Sequence, residues 1–177
     1  MKFELTRRRV FAALALIPLA LVCEALILQH LQSQAPCPLC ILDRVAFLLF
    51  ALAAIAGAIH NPPARVAARY AGAMTLAAAS GLGVASWHLW SLHHPKFGCG
   101  IDVIEQFVNS LPTAKLLPFL FHASGDCSAR LEPMFGLVTP EWAFVWFAAL
   151  FLPSAFLIFK WRSAARAGAA KQGFNTP

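Results

Sequence analysis

Ala35-Pro36-Cys37-Pro38-Leu39-Cys40-Ile41-Leu42-Asp43-Arg44 marks the point where a turn becomes an apolar segment running on to Ile59. Pro36 and Pro38 fix φ and resist helix on the N-terminal side. From Ile41 the residues read as one continuous helix. Cys40 then falls in the first turn, where free N–H groups and the helix dipole favour a thiolate. Arg44 comes four residues after Cys40, on the same face and one turn deeper. Two thiols two residues apart can close a small disulfide, share a metal or form a structural bridge. An arginine one turn inside an apolar helix is the less ordinary feature.

Composition sets the frame for that helix. The chain has 177 residues, of which 59% are hydrophobic and 12% charged, and its mean hydropathy is +0.66. These values exclude an ordinary soluble domain and indicate an all-α integral membrane protein of one domain. Lys2, Arg7, Arg8 and Arg9 lie at the N-terminus, and Lys160, Arg162, Arg166 and Lys171 follow Phe159. Basic clusters beside apolar spans are topology signals, and no nucleic-acid partner is expected.

Four spans are predicted, at 10–28, 41–59, 70–90 and 142–159. Arg7-Arg8-Arg9-Val10-Phe11 has the look of a twin-arginine export signal, and Ser33-Gln34-Ala35 that of a cleavage site. The apolar stretch is long for a signal, Pro36 hinders processing and further spans follow, so a retained helix is expected. Cys23 reads as a buried small hydrophobe. His60-Asn61-Pro62-Pro63 stops the second span, and a short turn carries Arg65 and Arg69. In the third span Ala73, Ala77, Gly81 and Ala85 recur every four residues, a stripe that lets helices approach closely. His88 falls at the outer end of that helix.

The external loop, 91–141, carries Cys99 in Phe97-Gly98-Cys99-Gly100 and Cys127 in Ser124-Gly125-Asp126-Cys127. Ile101, Ile104, Val108 and Leu111 recur at helical spacing, which predicts a short interfacial helix on the bilayer surface. Trp142, Trp146 and Trp161 are candidate interface anchors, and Pro153 a candidate kink. The membrane domain is taken as 1–162 and the tail 163–177 as disordered.

Ten basic residues lie at the N-terminus, the Arg65/Arg69 turn and the tail, against Lys96, Lys115 and Arg130 in the loop and Arg44 at the membrane edge. By the positive-inside rule both termini are cytoplasmic. Cys37, Cys40, Cys99 and Cys127 then face an oxidising compartment and form two disulfides by default. Four cysteines allow three connectivities, and spacing does not choose among them.

The external CxxC followed by Arg44, with a second pair on the long loop, resembles the disulfide bond formation protein B (DsbB) family of bacterial inner-membrane oxidoreductases. The matching residues are Cys37-Pro38-Leu39-Cys40-Ile41 with Arg44, then Cys99 and Ser124-Gly125-Asp126-Cys127, with Gln29-His30 also familial. The likeness covers about Val10 to Phe159, and Asp43 departs from the Glu or Gln of relatives. It implies a relay in the periplasm of the bacterial inner membrane. Electrons would pass from a thioredoxin-like dithiol oxidase of the DsbA type to Cys99–Cys127, then to Cys37–Cys40, then to ubiquinone or menaquinone. Arg44 and Cys40 would face the quinone, with His88 assisting, and an exposed outer pair would meet the partner.

Two other readings fit parts of the pattern. A quinone reductase of the vitamin K epoxide reductase type also carries a CxxC in a helical bundle, but on a late span. A metal-binding carrier would use Cys37, Cys40, Cys99 and Cys127 with His93 and His94. Apolar spans without a polar path, and thiols that oxidise outside the cell, disfavour it. No metal is expected.

Overall fold

The helix predicted from Ile41 starts three residues earlier, at the proline inside the CxxC. Pro38 occupies the first helical position of α2 (Pro38–His60), where its missing N–H costs nothing. Cys37 is the N-cap, and its sulfur accepts a hydrogen bond from the Cys40 amide at 3.2 Å. Both sulfurs are thus fixed at one helix N-terminus by the cap itself. At the other end Asn61 adopts the left-handed conformation (φ 42°) and donates its N–H to Gly57 O at 3.0 Å. Pro62 and Pro63 then prevent continuation.

The computed structural model describes residues 6–31, 35–94, 101–127 and 135–174. Besides α2 these contain α1 (Arg7–Leu31), α3 (Ala64–His93), α4 (Ile101–Ser110), α5 (Pro112–Leu116), α6 (Pro118–Phe121) and α7 (Thr139–Phe174). The chain is helical throughout its long elements, as the composition predicts. Among the described residues α1, α2 and α7 are long and apolar enough to cross a membrane. The helix α3 has 30 residues, about 45 Å at 1.5 Å per residue, but its Ala, Gly and Ser content dilutes its hydropathy.

Helix α1 packs on α2, α2 on α3 and α3 on α7. The core runs from Phe11, Ala15 and Val22 through Phe47, Phe50 and Ala54 to Met74, Ala78, Phe147 and Leu150. Close approach needs glycine at two crossings. A Cβ at Gly57 would lie 2.8 Å from the Phe11 ring, and one at Gly81 would overlap the Phe147 ring. Phe147 in turn stacks on Phe47 at 3.9 Å.

Several expectations change in detail. Ala73 faces outward, and the packed stripe of α3 is Ala71, Met74, Ala78, Gly81, Ala85 and His88. The true repeat alternates three and four residues because 3.6, not 4, is the helical period. Arg65 and Arg69 sit in the first turns of α3 and not in a turn before it. Cys23 is exposed on the outer face of α1 and is not in the core. Trp161 is buried against Phe11, with ring centroids 4.9 Å apart, so it is a core residue and no surface anchor. The helix α7 continues past Arg162 to Phe174, where Ala-rich sequence with Arg and Lys propagates helix in place of the disordered tail.

The short helices α4–α6 rest on the N-terminal half of α2. Val108, Ala114, Phe121 and Ala123 bury themselves against Ile41, with Leu42, Val45 and Leu48 alongside. Val103, Phe107, Leu116 and Phe119 stay exposed, the amphipathic arrangement expected of a segment at a bilayer surface.

Candidate functional site

A cleft of about 290 Å³ opens between the C-terminal ends of α1 and α3 and the N-terminal ends of α2 and α7. Cys40, Arg44 and His88, singled out separately along the sequence, line it together with Glu24, Gln29 and Asp43. Leu21, Val22, Phe47, Trp142 and Trp146 supply apolar and aromatic wall. The two tryptophans therefore line the site as well as its rim.

The Arg44 guanidinium has identifiable supports. Arg44 is buried, and its Nη1 donates to Gln29 Oε1 at 2.7 Å and to Leu120 O at 3.2 Å. Its Nη2 donates to Ala25 O at 3.4 Å. Gln29 is itself tied to Phe119 O through Nε2 at 3.2 Å. A guanidinium has five donors, so some remain for a ligand in the cleft. The arginine is aimed by α1 and by the α5–α6 segment, and sequence distance conceals both partners.

Of the two thiols, Cys40 lines the same cleft. Cys37 Sγ is 2.7 Å from Cys40 Sγ and 3.6 Å from His88 Nε2. Cys37 and His88 are only 3% and 4% exposed, so the pair and the imidazole share one desolvated pocket. The hydrogen bond to Cys40, and then burial, push the Cys37 thiol well above its ordinary value. His88 Nδ1 and Asp43 Oδ1 are buried without a hydrogen-bond partner among the described residues.

Cys127 is disulfide-bonded and almost fully buried. It packs in one cluster with Cys37 and Leu39, where Cys40 and Val84 join. Its backbone also acts on the His88 ring. Cys127 is therefore not the exposed thiol expected of the loop, because the loop folds back onto the CxxC. Cys99 lies outside the described residues.

The means of that folding back are specific. Pro36 O accepts hydrogen bonds from Ser124 N and Gly125 N, both at 3.0 Å. A Cβ at Gly125 would overlap Ala35 O, so only glycine lets the two strands of chain meet. Asn109 on α4 holds Ala123 from both sides, donating to its carbonyl and accepting from its amide at 2.9 Å. Asn109 was not singled out from sequence, since a lone Asn on an amphipathic helix carries no signal. The sequence signal of this close approach is the glycine in Ser124-Gly125-Asp126-Cys127. His93 and His94 make local bonds to Leu89 O and Trp90 O at the end of α3, and among the described residues they do not join Cys37 and Cys40.

Comparison with known proteins gives a family model described as "Disulfide bond formation protein DsbB", matched over residues 7–157. Similar relatives carry the name Disulfide bond formation protein B. One from Herminiimonas arsenicoxydans is 46% identical over 148 residues, covering 82% of this chain and 92% of the relative. One from Burkholderia pseudomallei (strain K96243) is 40% identical over 159 residues, covering 90% and 94%. A third, from Cupriavidus necator, is 38% identical over 148 residues, covering 84% and 90%.

Proposed function

The chain belongs to the disulfide bond formation protein B family, and from that membership we propose that it is a disulfide-generating oxidase of the bacterial inner membrane which passes electrons to a quinone. It takes them from a periplasmic thioredoxin-like dithiol oxidase of the DsbA type. The observation that carries this reading is the single cleft lined by Cys40, Arg44 and His88. Its volume is near the lower end of small-molecule sites, about 300–1,000 Å³. An apolar and aromatic wall with a few convergent donors suits a flat ring bearing carbonyl oxygens.

The relay uses two pairs, Cys99–Cys127 and Cys37–Cys40. The partner's thiolate attacks the outer bond at Cys99 and expels Cys127 as a thiolate. Resolution by the partner's second thiol leaves the partner as a disulfide and Cys99 as a thiol. Cys127, packed against Cys37, attacks that sulfur and expels Cys40. The Cys99 thiolate then closes on Cys127, which restores the outer disulfide and leaves Cys37 and Cys40 as the dithiol. The leaving sulfur lies at the N-terminus of α2, where free amides stabilise its charge. A quinone, ubiquinone or menaquinone, supplies the sink for two electrons and two protons when bound in the cleft. Arg44 holds it by hydrogen bonds to a carbonyl oxygen, with Gln29 keeping the guanidinium aimed. His88 closes the site on the Cys37 side. Both termini are cytoplasmic and all four cysteines face the periplasm.

The test is anaerobic turnover of purified protein with a reduced soluble dithiol partner and a water-soluble quinone analogue. One quinone consumed per partner disulfide formed is the expected stoichiometry, with none in Cys40→Ala. Partner oxidation that proceeds at the same rate without quinone would overturn the reading. Binding is checked separately by quenching of Trp142 and Trp146 fluorescence on adding the analogue.

A further inference from the structure

We propose that the dithiol form of the Cys37–Cys40 pair, completed by His88, is a binding site for a thiophilic divalent cation of the Zn²⁺ type. A bound cation arrests the pair in its reduced state. This goes beyond the electron relay and requires neither partner nor quinone.

The geometry points to it. The two sulfurs and an imidazole nitrogen all lie within 4.8 Å of one another. Zn–S bonds of about 2.3 Å and Zn–N bonds of about 2.0–2.1 Å at a tetrahedral angle put sulfur and nitrogen about 3.6 Å apart. Cys37 Sγ and His88 Nε2 are 3.6 Å apart. Two sulfurs on zinc sit about 3.8 Å apart, against the 2.7 Å between Cys37 and Cys40. Cys40 Sγ must therefore move outward by about 1 Å, into the cleft that it already lines.

The surroundings favour the ion once it enters. Cys37 and His88 are almost wholly buried, so water competes weakly for their donor atoms. Nδ1 of His88 is orphaned among the described residues. It can carry the ring proton and leave the Nε2 lone pair for metal. The orphaned Asp43 Oδ1 lines the same cleft and supplies a hold on a metal-bound water. Two thiolates and an imidazole are a borderline-soft donor set with the fourth position open to the cleft.

Binding exchanges two thiol protons for one cation, and both sulfurs remain reduced. A disulfide offers no thiolate, so the oxidised pair does not bind. The site is in this way gated by the redox state of the pair.

The experiment uses the full chain in detergent, reduced anaerobically and freed of reductant. Cd²⁺ is added, and the ultraviolet thiolate-to-cadmium band gives stoichiometry; Zn²⁺ competition gives affinity. One ion per reduced chain is expected, and none after oxidation. His88→Ala and the bulkier His88→Gln should each weaken binding by at least about tenfold, with helicity checked by circular dichroism. Cys23→Ser and Cys127→Ser should leave the ion bound at wild-type strength. Absence of the band in reduced protein, full affinity in both His88 variants, or binding that survives Cys37→Ser but not Cys127→Ser would each overturn the proposal.

Discussion

Arg44 owes its role to three neighbours that are far from it in sequence. Its bonds to Gln29, Leu120 and Ala25 hold a planar fork that lysine lacks. A hydrogen bond to a charged group is worth about 1.5–3 kcal/mol, so Arg44→Lys should raise the apparent KM for quinone by about tenfold or more. The KM for the dithiol partner should stay within about twofold, since the proposed relay puts that step at the outer pair. Steady-state kinetics with each substrate varied in turn check this, and an unchanged quinone KM would reduce Arg44 to an anchor. Cys37 gives a second residue-scale expectation. Its thiol is held protonated by its bond to Cys40 and by burial. In the reduced protein Cys37 should therefore alkylate slowly at neutral pH and faster as pH rises, read by mass spectrometry of iodoacetamide-treated peptides. Fast labelling at pH 6 would contradict that protection. Arg44 could be read from sequence through its offset from Cys40, whereas Gln29 as its support could not.

At the scale of elements, glycines set how closely segments meet. Gly81 on α3 lies against the Phe147 ring of α7, and that ring also stacks on Phe47. Gly81→Ala forces this stack apart and should destabilise the bundle by about 1–3 kcal/mol, seen as a lower thermal midpoint in detergent. Gly125 is different because its neighbour is the Ala35 carbonyl, and backbone cannot swing aside. Gly125→Ala should separate the Cys127 segment from the CxxC turn. Transfer from the outer to the inner pair should slow at least about tenfold, since small misplacements of reacting groups are costly. Quinone-analogue binding by tryptophan quenching should change little. Rapid-quench trapping of the two pairs measures the transfer, and an unchanged rate would show that the Pro36 hydrogen bonds are not what bring the sulfurs together.

For the molecule as a whole, the bundle places the capped end of α2, the cleft and the α4–α6 segment on one side. The Phe11, Tyr70 and Trp161 cluster lies at the other end. With ten basic residues at the termini and in the first turns of α3, the cysteine end should face outward. A variant keeping only Cys99 should label with a membrane-impermeant maleimide in intact spheroplasts. A variant with a cysteine added at the C-terminus should label only after lysis. The reverse pattern would invert the topology.

Local chemistry decided a large share of this protein. Hydropathy over twenty-residue windows made it a helical membrane protein, and the prolines before Cys40 put that thiol in the first turn of a helix. The family resemblance carried by Cys37-Pro38-Leu39-Cys40, Arg44 and Ser124-Gly125-Asp126-Cys127 is borne out by the family match. These are short-range properties, because bilayer thickness, proline stereochemistry and i to i+4 spacing act within a few turns. Tertiary structure decided what depends on contacts across the bundle. It turned Ala73 and Cys23 outward, made Trp161 core, buried Cys127 beside Cys37 and brought His88 within 3.6 Å of a sulfur. Such pairings arise when α1, α3, α7 and the loop pack around α2. Their energies come from shape and close approach between residues tens of positions apart, which no periodicity along the chain encodes.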